Sequence, residues 1–150
     1  MKITDTIALV LKSKDEGKVL TIRPEQTVYD ALEVMAKHNV GALLVLAGGQ
    51  VVGILSERDY ARKGVLLGLS SRDSHVHQIM TSPVVFVSPQ HTVDECMTMM
   101  TEHHFRHLPV LEDQAVVGVV SIGDLVKWVI TGQAHTIQAL EGYISGAYPA

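Results

Sequence analysis

The chain has 150 residues, 47% hydrophobic and 19% charged, and its formal net charge of −4 gives no overall attraction to nucleic acids or anionic membranes. This length can bury a core without a metal or a disulfide, and the single cysteine, Cys96, cannot form an intrachain disulfide. No apolar run approaches the ~20 residues of a membrane span, and no secretory signal pattern begins the sequence, so we predict a cytoplasmic protein.

The first predicted elements are a leading helix and loop over residues 1–18, then a short strand and a second helix. The apolar run from Val19 to Ile22 predicts the strand. Thr27 and Asp30 have the spacing of a capping box, although aspartate is a weaker third-position partner than glutamate. Beyond them, apolar residues recur with the i, i+3, i+4, i+7 spacing of an amphipathic helix, at Val28, Ala31, Leu32 and Met35.

Two β-rich runs and another helix follow. Ala42 to Ala47 and Val51 to Leu55 predict strands joined by a glycine-containing turn, and a helix is predicted to begin after Ser56. Residues 64–78 begin glycine-rich and become polar. This change predicts a linker made of a loop and a short helical turn.

An internal repeat is the most informative feature of the sequence. Residues 19–62 align with residues 84–127 at a constant offset of 65, without a gap. The chain is therefore a tandem duplication. The identical pairs are Val19/Val84, Pro24/Pro89, Thr27/Thr92, Val28/Val93, Met35/Met100, His38/His103, Val45/Val110, Leu46/Leu111, Val51/Val116, Val52/Val117, Gly53/Gly118, Ser56/Ser121 and Asp59/Asp124.

The repeat sets the predicted domain organisation. We assign repeat one to residues 19–63, repeat two to 79–131, and a C-terminal helix and tail to 132–150, with the helix at Thr136 to Ile144. Each repeat has the order strand, helix, strand, strand, helix, and one repeat alone is too small to cover both faces of its sheet. We therefore predict an α/β (α+β) fold in which the two repeats pack together. The last two strands of repeat two are expected at Leu108 to Leu111 and Val116 to Val120.

Several motifs resemble the cystathionine-β-synthase (CBS) domain family. The segments Gly53 to Tyr60 (GILSERDY) and Gly118 to Leu125 (GVVSIGDL) match its G-x-x-[ST]-x-x-D motif, once in each repeat. Arg106 to Val110 (RHLPV) is similar to its second-strand signature, and Ile79 to Thr81 (IMT) to its usual entry into a second repeat. The resemblance covers nearly the whole chain, and two motifs in register are far more specific than one.

The resemblance implies a disc-shaped module with pseudo-twofold symmetry, two clefts that accept adenosine ligands, and a homodimer. AMP is the ligand expected first, with NAD(H) or ATP as alternatives, and the implied function is nucleotide sensing that regulates an unidentified protein. In the family, the motif aspartate binds the ribose hydroxyls and the serine reaches the phosphate. These roles would fall to Asp59 and Asp124 and to Ser56 and Ser121, while backbone near Ile22 would hold the adenine.

The chemistry of these side chains agrees with the implied roles. A carboxylate can accept both hydroxyls of a ribose, and the free N–H groups at the start of a helix favour a phosphate. A second interpretation stays open, because a serine followed three residues later by an aspartate is also an ordinary helix cap with an acidic first turn.

The two repeats differ in charge around the motif. Repeat two has Arg106 and His107 where repeat one has Gly41 and Ala42, whereas repeat one has Arg58 inside its motif. Because these differences bear on phosphate, we predict that the two sites bind unequally. The small Gly41 and Ala42 could form a wall against adenine, or Gly41 could merely cap a helix; both interpretations stay open.

The remaining polar candidates give weaker signals. We expect Lys14 to be an exposed loop lysine, with a phosphate contact as the alternative. His103 and His107 stand four residues apart, but the helical pattern ends near His103, so we predict no metal. Cys96 lies on the apolar face of a helix, which predicts a core position and no catalytic thiol. No nucleophile or acid–base pair is evident, so no enzyme is predicted.

One other function is compatible with the same fold. A ligand-independent interaction module would also dimerise and bind another protein, but it would show no stabilisation by nucleotides. The two functions therefore differ in whether Asp59 and Asp124 affect ligand-dependent behaviour.

Overall fold

The computed structural model describes residues 3–14 and 19–132, which fall into two units. One unit contains residues 19–86, and the other joins residues 3–14 to residues 87–132. The predicted C-terminal helix lies outside the described residues. Among the helices of the described part, none is long and apolar enough to cross a membrane.

The elements confirm the mixed α and β class and the predicted order of strands and helices. The short helix α4 also confirms the helical turn predicted in the linker. In chain order the elements are α1 (Ile7–Ser13), β1 (Thr21–Ile22), α2 (Val28–His38), β2 (Ala42–Ala47), β3 (Gln50–Ser56), α3 (Glu57–Asp59), a π-helical segment (Tyr60–Val65), α4 (Val76–Ile79), α5 (Val93–His103), β4 (His107–Glu112), β5 (Ala115–Ser121) and α6 (122–132, as far as the described residues extend).

Helices α2 and α5 begin at the two predicted capping boxes. The Asp30 N–H donates to Thr27 Oγ1 at 3.0 Å, and the Thr27 N–H donates to Asp30 Oδ2 at 3.4 Å. In α5 the matching distances, between Glu95 and Thr92, are 3.1 and 3.0 Å. The longer glutamate side chain reaches back more closely than aspartate, as the sequence predicted.

Both helices end in the same way. Asn39 (φ 53°) follows α2 and His104 (φ 59°) follows α5, each in the left-handed conformation and at the repeat offset of 65. Gly41 is therefore not the left-handed cap of α2, and that interpretation of the glycine was wrong. Helix α2 buries Val28, Ala31 and Met35 of its predicted apolar face, and Leu32 is half-buried. Helix α5 buries the equivalent residues Val93, Cys96 and Met100.

The sheets repeat each other down to one irregularity. Strands β2 and β3 pair antiparallel, as do β4 and β5, and both pairs shift register one residue after the buried valines Val45 and Val110. The parallel strand β1 completes the first sheet. The offset of 65 places the equivalent of the Val19 to Ile22 strand at Val84 to Val87. In repeat two this strand is reduced to one bridge between Val87 and Val110, since hydrogen bonds to β4 begin only at Val87.

Each repeat is covered by a segment that precedes a repeat in the chain. In α1, the Ile7 N–H donates to His91 O at 2.8 Å, and in α4 the Val76 N–H donates to Gln26 O at 2.9 Å. Gln26 and His91 are equivalent at the offset of 65. The segment before repeat one therefore packs on repeat two, and the linker packs on repeat one.

The apolar cores follow the same division. Ile7 and Val10 of α1, 0% and 1% exposed, lie in the core of repeat two, while Val76 and Ile79 of α4 lie in the core of repeat one. Burying such side chains helps to hold in place the two leading segments, which are the segments that precede repeat one and repeat two in the chain.

Candidate functional site

In repeat one, Ser56 and Asp59 form a tight cap where β3 passes into α3. The Ser56 N–H and hydroxyl both donate to Asp59 Oδ2, at 2.9 and 3.0 Å, and the Asp59 N–H donates back to Ser56 Oγ at 3.1 Å. The other carboxylate oxygen, Oδ1, accepts the Thr81 hydroxyl at 3.0 Å and lies 3.4 Å from Lys63 Nζ. The carboxylate thus combines a capping role with contacts to two further polar side chains.

In repeat two, Ser121 and Asp124 form the same cap between β5 and α6. The Ser121 N–H donates to Asp124 Oδ2 at 2.8 Å, and the Asp124 N–H donates to Ser121 Oγ at 3.1 Å. Asp124 Oδ2 also accepts Lys14 Nζ at 2.7 Å. The capping interpretation of both motifs is therefore confirmed, and it leaves the binding interpretation open because a carboxylate has about four acceptor positions.

Electrostatics keep the Asp124 carboxylate ionised. Burial raises the pKa of Asp124. Hydrogen bonds from Lys14 and Ser121, together with the lysine charge, lower it by more, so the net shift is downward. Near neutral pH the site in repeat two therefore contains a carboxylate and an ammonium group in direct contact.

Lys14 is not the exposed loop lysine that we expected. Its side chain is 15% exposed, and Nζ donates to Val119 O at 2.8 Å as well as to Asp124. The reason is that α1 packs on repeat two, which brings the end of this helix to β5.

The corresponding position in repeat one is filled by Thr81. Its N–H donates to Ile54 O at 2.8 Å, and its hydroxyl donates to Asp59. Ile54 and Val119 are equivalent at the offset of 65. A neutral threonine and a charged lysine therefore bind the equivalent backbone oxygen and the equivalent carboxylate in the two repeats. They use different carboxylate oxygens, Oδ1 of Asp59 and Oδ2 of Asp124.

The residues that open the strands also correspond. Gly41 O accepts the N–H of Glu57 at 3.0 Å, and Arg106 O accepts the N–H of Ile122 at 2.9 Å. These bonds tie the start of each strand to the helix after the motif. The Arg106 side chain is exposed, whereas Gly41 is half-buried.

Two predicted site residues, His107 and Ala42, lie beside the motif serines in their sheets. His107 pairs with Ser121 across β4 and β5, as Ala42 pairs with Ser56 across β2 and β3. Both His107 and Ala42 are half-buried. Repeat two therefore has an imidazole beside its serine where repeat one has a methyl group.

Two other predicted residues lie in repeat one. Arg58 is half-buried and lies inside the motif, next to Asp59. The Ile22 side chain is 4% exposed and belongs to the core, so that only its backbone could face a ligand.

Cys96 lies in the apolar core of repeat two, where its position in α5 predicted it. Cys96 is 0% exposed, as predicted for a core residue, and burial together with the charge of Glu95 raises its pKa to about 11. His103 ends α5. Within residues 3–14 and 19–132, no group of three or more His, Cys, Asp or Glu side chains could hold a metal ion.

Sequence reasoning missed two side chains of the site. Thr81 was noted only as part of the Ile79 to Thr81 segment, and Lys63 was not considered. The i, i+4 spacing of Asp59 and Lys63 was a usable signal for a contact.

Comparison with known proteins identifies the family. The CBS domain profile matches residues 14–65 and 76–131, and the chain belongs to the CBS-domain family. It is 41% identical over 151 residues to the CBS domain-containing protein CBSX3, mitochondrial, of Arabidopsis thaliana, in an alignment covering 95% of this chain and 73% of the relative.

Solved structures of CBS-domain proteins support the same family assignment. A CBS-domain protein from Burkholderia ambifaria superposes with a TM-score of 0.82 and 48% identity, covering 85% of this chain and 96% of that chain. The hexameric CBS-CP12 protein from bloom-forming cyanobacteria has a TM-score of 0.68 and 28% identity, covering 73% of this chain and 64% of that chain. The chain is therefore a tandem CBS-domain protein of regulatory type.

Proposed function

We propose that this chain is a non-enzymatic sensor that binds an adenine nucleotide at its Ser–Asp motifs and thereby modulates another protein. AMP is the first candidate ligand, with NAD(H) and ATP next. The main support is the pair of motif carboxylates, Asp59 and Asp124, each placed in the first turn of a helix with a serine at the N-cap.

The charges around each motif suit a ribose phosphate. The carboxylate can accept ribose hydroxyls, and the serine hydroxyl and helix N–H groups can face the phosphate. In repeat two, Arg106 would add positive charge, and His107 beside Ser121 would offer a ring N–H; in repeat one, Arg58 would add the charge. The different arrangement of these cations favours unequal affinities at the two sites.

The protein's surface supports self-association. Ile122, Val126 and Ile130 recur every four residues along α6, and they are 42%, 43% and 61% exposed. An apolar stripe of this kind favours burial against another chain. The related CBS-CP12 protein is hexameric. We propose a homodimer as the functional form of this chain, with a reducing, cytoplasmic environment suiting its single buried thiol.

A ligand-independent interaction module is the second candidate. The same exposed stripe on α6, together with Leu66 and Leu67 at 77% and 70% exposure, could bind a partner protein whether or not a nucleotide is present.

Thermal unfolding with and without nucleotides separates these two functions. A ligand at roughly 100 times its Kd stabilises the native state by about 2.7 kcal/mol, so AMP, ATP, NAD, NADH and S-adenosylmethionine should be tested at millimolar concentration. We expect a rise in Tm for the wild type that the double variant Asp59→Asn, Asp124→Asn loses. Asp73→Asn, which changes an exposed acid of the linker, is the matched control and should keep the rise.

The outcome decides between the candidates. If no nucleotide stabilises the wild type, nucleotide sensing is wrong and the interaction module is the better account. The single variants test whether the two sites bind nucleotide with different affinities. Asp59→Asn and Asp124→Asn should weaken nucleotide binding to different extents in titration calorimetry, and equal losses would contradict unequal sites.

A further inference from the structure

The last turn of α1 is attached to the motif of repeat two through Lys14. Lys14 Nζ contacts both Asp124 Oδ2 and Val119 O, at 2.7 and 2.8 Å, and the Lys14 and Asp124 side chains are only 15% and 24% exposed. Lys14 is the C-cap of α1, and its N–H donates to Leu11 O at 3.2 Å, which closes the end of the helix. An ion pair shielded to this degree is screened less by solvent than a surface pair.

The first turn of α1 is held by different interactions. The Ile7 and Ala8 N–H groups donate to His91 O and Pro89 O at 2.8 and 2.9 Å, and Ile7 and Val10 are buried in the core. Loss of the lysine contact would therefore loosen only the end of the helix, while the start stays in place.

The acceptor atom that Lys14 uses is one that a ribose would need. Asp124 Oδ2 already accepts both Lys14 Nζ and the Ser121 N–H, and a carboxylate oxygen has two lone pairs. Two neighbouring ribose hydroxyls bind a carboxylate most directly with one hydroxyl on each oxygen. The hydroxyl directed at Oδ2 would then compete with Lys14.

We propose that Lys14 is an internal competitor for the nucleotide site of repeat two, so that a ribose bound by Asp124 displaces the ammonium and loosens the last turn of α1. This inference rests on the proposed nucleotide binding and adds its mechanical consequence. Nucleotide binding at repeat two would thus change the structure at the end of α1. A partner protein that contacts this end could distinguish the nucleotide-bound state from the nucleotide-free state.

Repeat one is built differently. Lys63, 3.4 Å from Asp59 Oδ1, belongs to the π-helical segment after the motif, and the segment that covers this repeat reaches Asp59 through Thr81. Thr81, which takes the equivalent position, is fixed by hydrogen bonds in both directions between its backbone and that of Ile54, at 2.8 and 3.0 Å. Its hydroxyl can rotate away from Asp59 without moving the backbone. Nucleotide bound at Asp59 would therefore leave its leading segment in place, so the signal belongs to repeat two.

Hydrogen exchange of the full chain tests the proposal. The variants are Lys14→Met, which removes the charge, and Lys12→Met, which changes an exposed lysine of the same helix as a matched control. Without nucleotide, we expect the amides of residues 11–14 to exchange about fivefold faster in Lys14→Met than in the wild type, and Lys12→Met to match the wild type.

The proposal predicts three results with AMP. Saturating AMP should raise exchange at residues 11–14 of the wild type to the Lys14→Met level, while exchange at residues 7–10 stays unchanged. It should have no further effect on that turn in Lys14→Met. Because the competitor is gone, AMP should bind repeat two of Lys14→Met about fivefold more tightly in calorimetry.

The outcomes separate this proposal from the proposed function. If AMP binds the wild type without changing exchange at residues 11–14, or binds Lys14→Met more weakly, the competitor idea is wrong and nucleotide binding stands. If no nucleotide binds either protein, nucleotide sensing and the displacement both fail. Binding to Lys14→Met alone would support the competitor in its strongest form.

Discussion

The two repeats have the same Ser–Asp cap but complete it with different side chains. In repeat one the Asp59 carboxylate accepts the neutral Thr81 hydroxyl and lies 3.4 Å from Lys63, whose side chain is 42% exposed. In repeat two the half-buried Lys14 ammonium contacts Asp124 directly, at 2.7 Å. The difference arises because each repeat takes its covering segment from a different part of the chain. The serine and aspartate of a duplicated motif can thus acquire two electrostatic environments without changing themselves.

The largest effect should come from truncating the side chains that anchor the two leading segments. Ile7→Ala and Val76→Ala each remove a side chain that is 0% exposed, and each should destabilise the protein by about 2 to 4 kcal/mol in urea unfolding. Hydrogen exchange should locate the damage of Ile7→Ala in residues 87–132 and that of Val76→Ala in residues 19–86.

Leu9→Ala provides the control on α1. Leu9 is 47% exposed, so its truncation should change stability by less than about 0.5 kcal/mol. Damage from Ile7→Ala that appeared mainly in repeat one would refute the assignment of α1 to repeat two.

The second comparison concerns the motif glycines, Gly53 and Gly118. A Cβ on Gly53 would lie 2.5 Å from Met80 Sδ and 3.2 Å from the backbone oxygen of Thr81, whereas one on Gly118 would meet only the Leu11 side chain within 3.4 Å, with Cδ2 at 2.7 Å. Side-chain ends can move more easily than a paired backbone. We therefore expect Gly53→Ala to cost about 1 to 3 kcal/mol and Gly118→Ala less than about 1 kcal/mol in urea unfolding.

A double variant sharpens this comparison. Leu11→Ala combined with Gly118→Ala should show favourable coupling of at least about 0.5 kcal/mol, because the smaller side chain vacates the space that the new methyl group needs. Equal costs for the two single glycine variants would mean that the repeats tolerate crowding alike.

The sequence was sufficient to predict the elements that depend on local signals. The offset of 65 located both repeats, and the capping boxes at Thr27 and Thr92 marked both long helices. The Lys14 contact could not be predicted, because the lysine lies 110 residues from Asp124 and reaches it only through the packing of α1. Likewise, the role of Thr81 depends on its backbone pairing with β3.

The third comparison uses pH to test the Lys14–Asp124 ion pair of repeat two. The folded pKa of Asp124 lies below its ordinary value of 3.8, so its stabilisation is present above that value and is lost as the pH falls toward the folded pKa. Asp124→Asn should therefore cost about 1 kcal/mol at pH 7, and the difference from wild type should shrink steadily below pH 4 in urea titrations.

Lys14→Met should reproduce this pH profile, since it removes the other member of the pair. Asp73→Asn, at an exposed linker position, should lie on the wild-type curve throughout. If the stability cost of Asp124→Asn is independent of pH, the lost stability comes from packing or capping. The Lys14–Asp124 ion pair would then contribute nothing measurable.

The smallest expected effect concerns the capping boxes of α2 and α5. The Thr27 N–H lies 3.4 Å from the Asp30 carboxylate, whereas the Thr92 N–H lies 3.0 Å from that of Glu95. Exchanging the two acids should exchange the stabilities: Asp30→Glu should gain about 0.3 kcal/mol and Glu95→Asp should lose a similar amount. Because the two capping boxes occupy equivalent positions of the repeats, opposite signs in urea unfolding would indicate side-chain reach as the cause. Two losses would instead mean that each cap is fitted to its own surroundings, and that the repeats have diverged here as they have at Lys14 and Thr81.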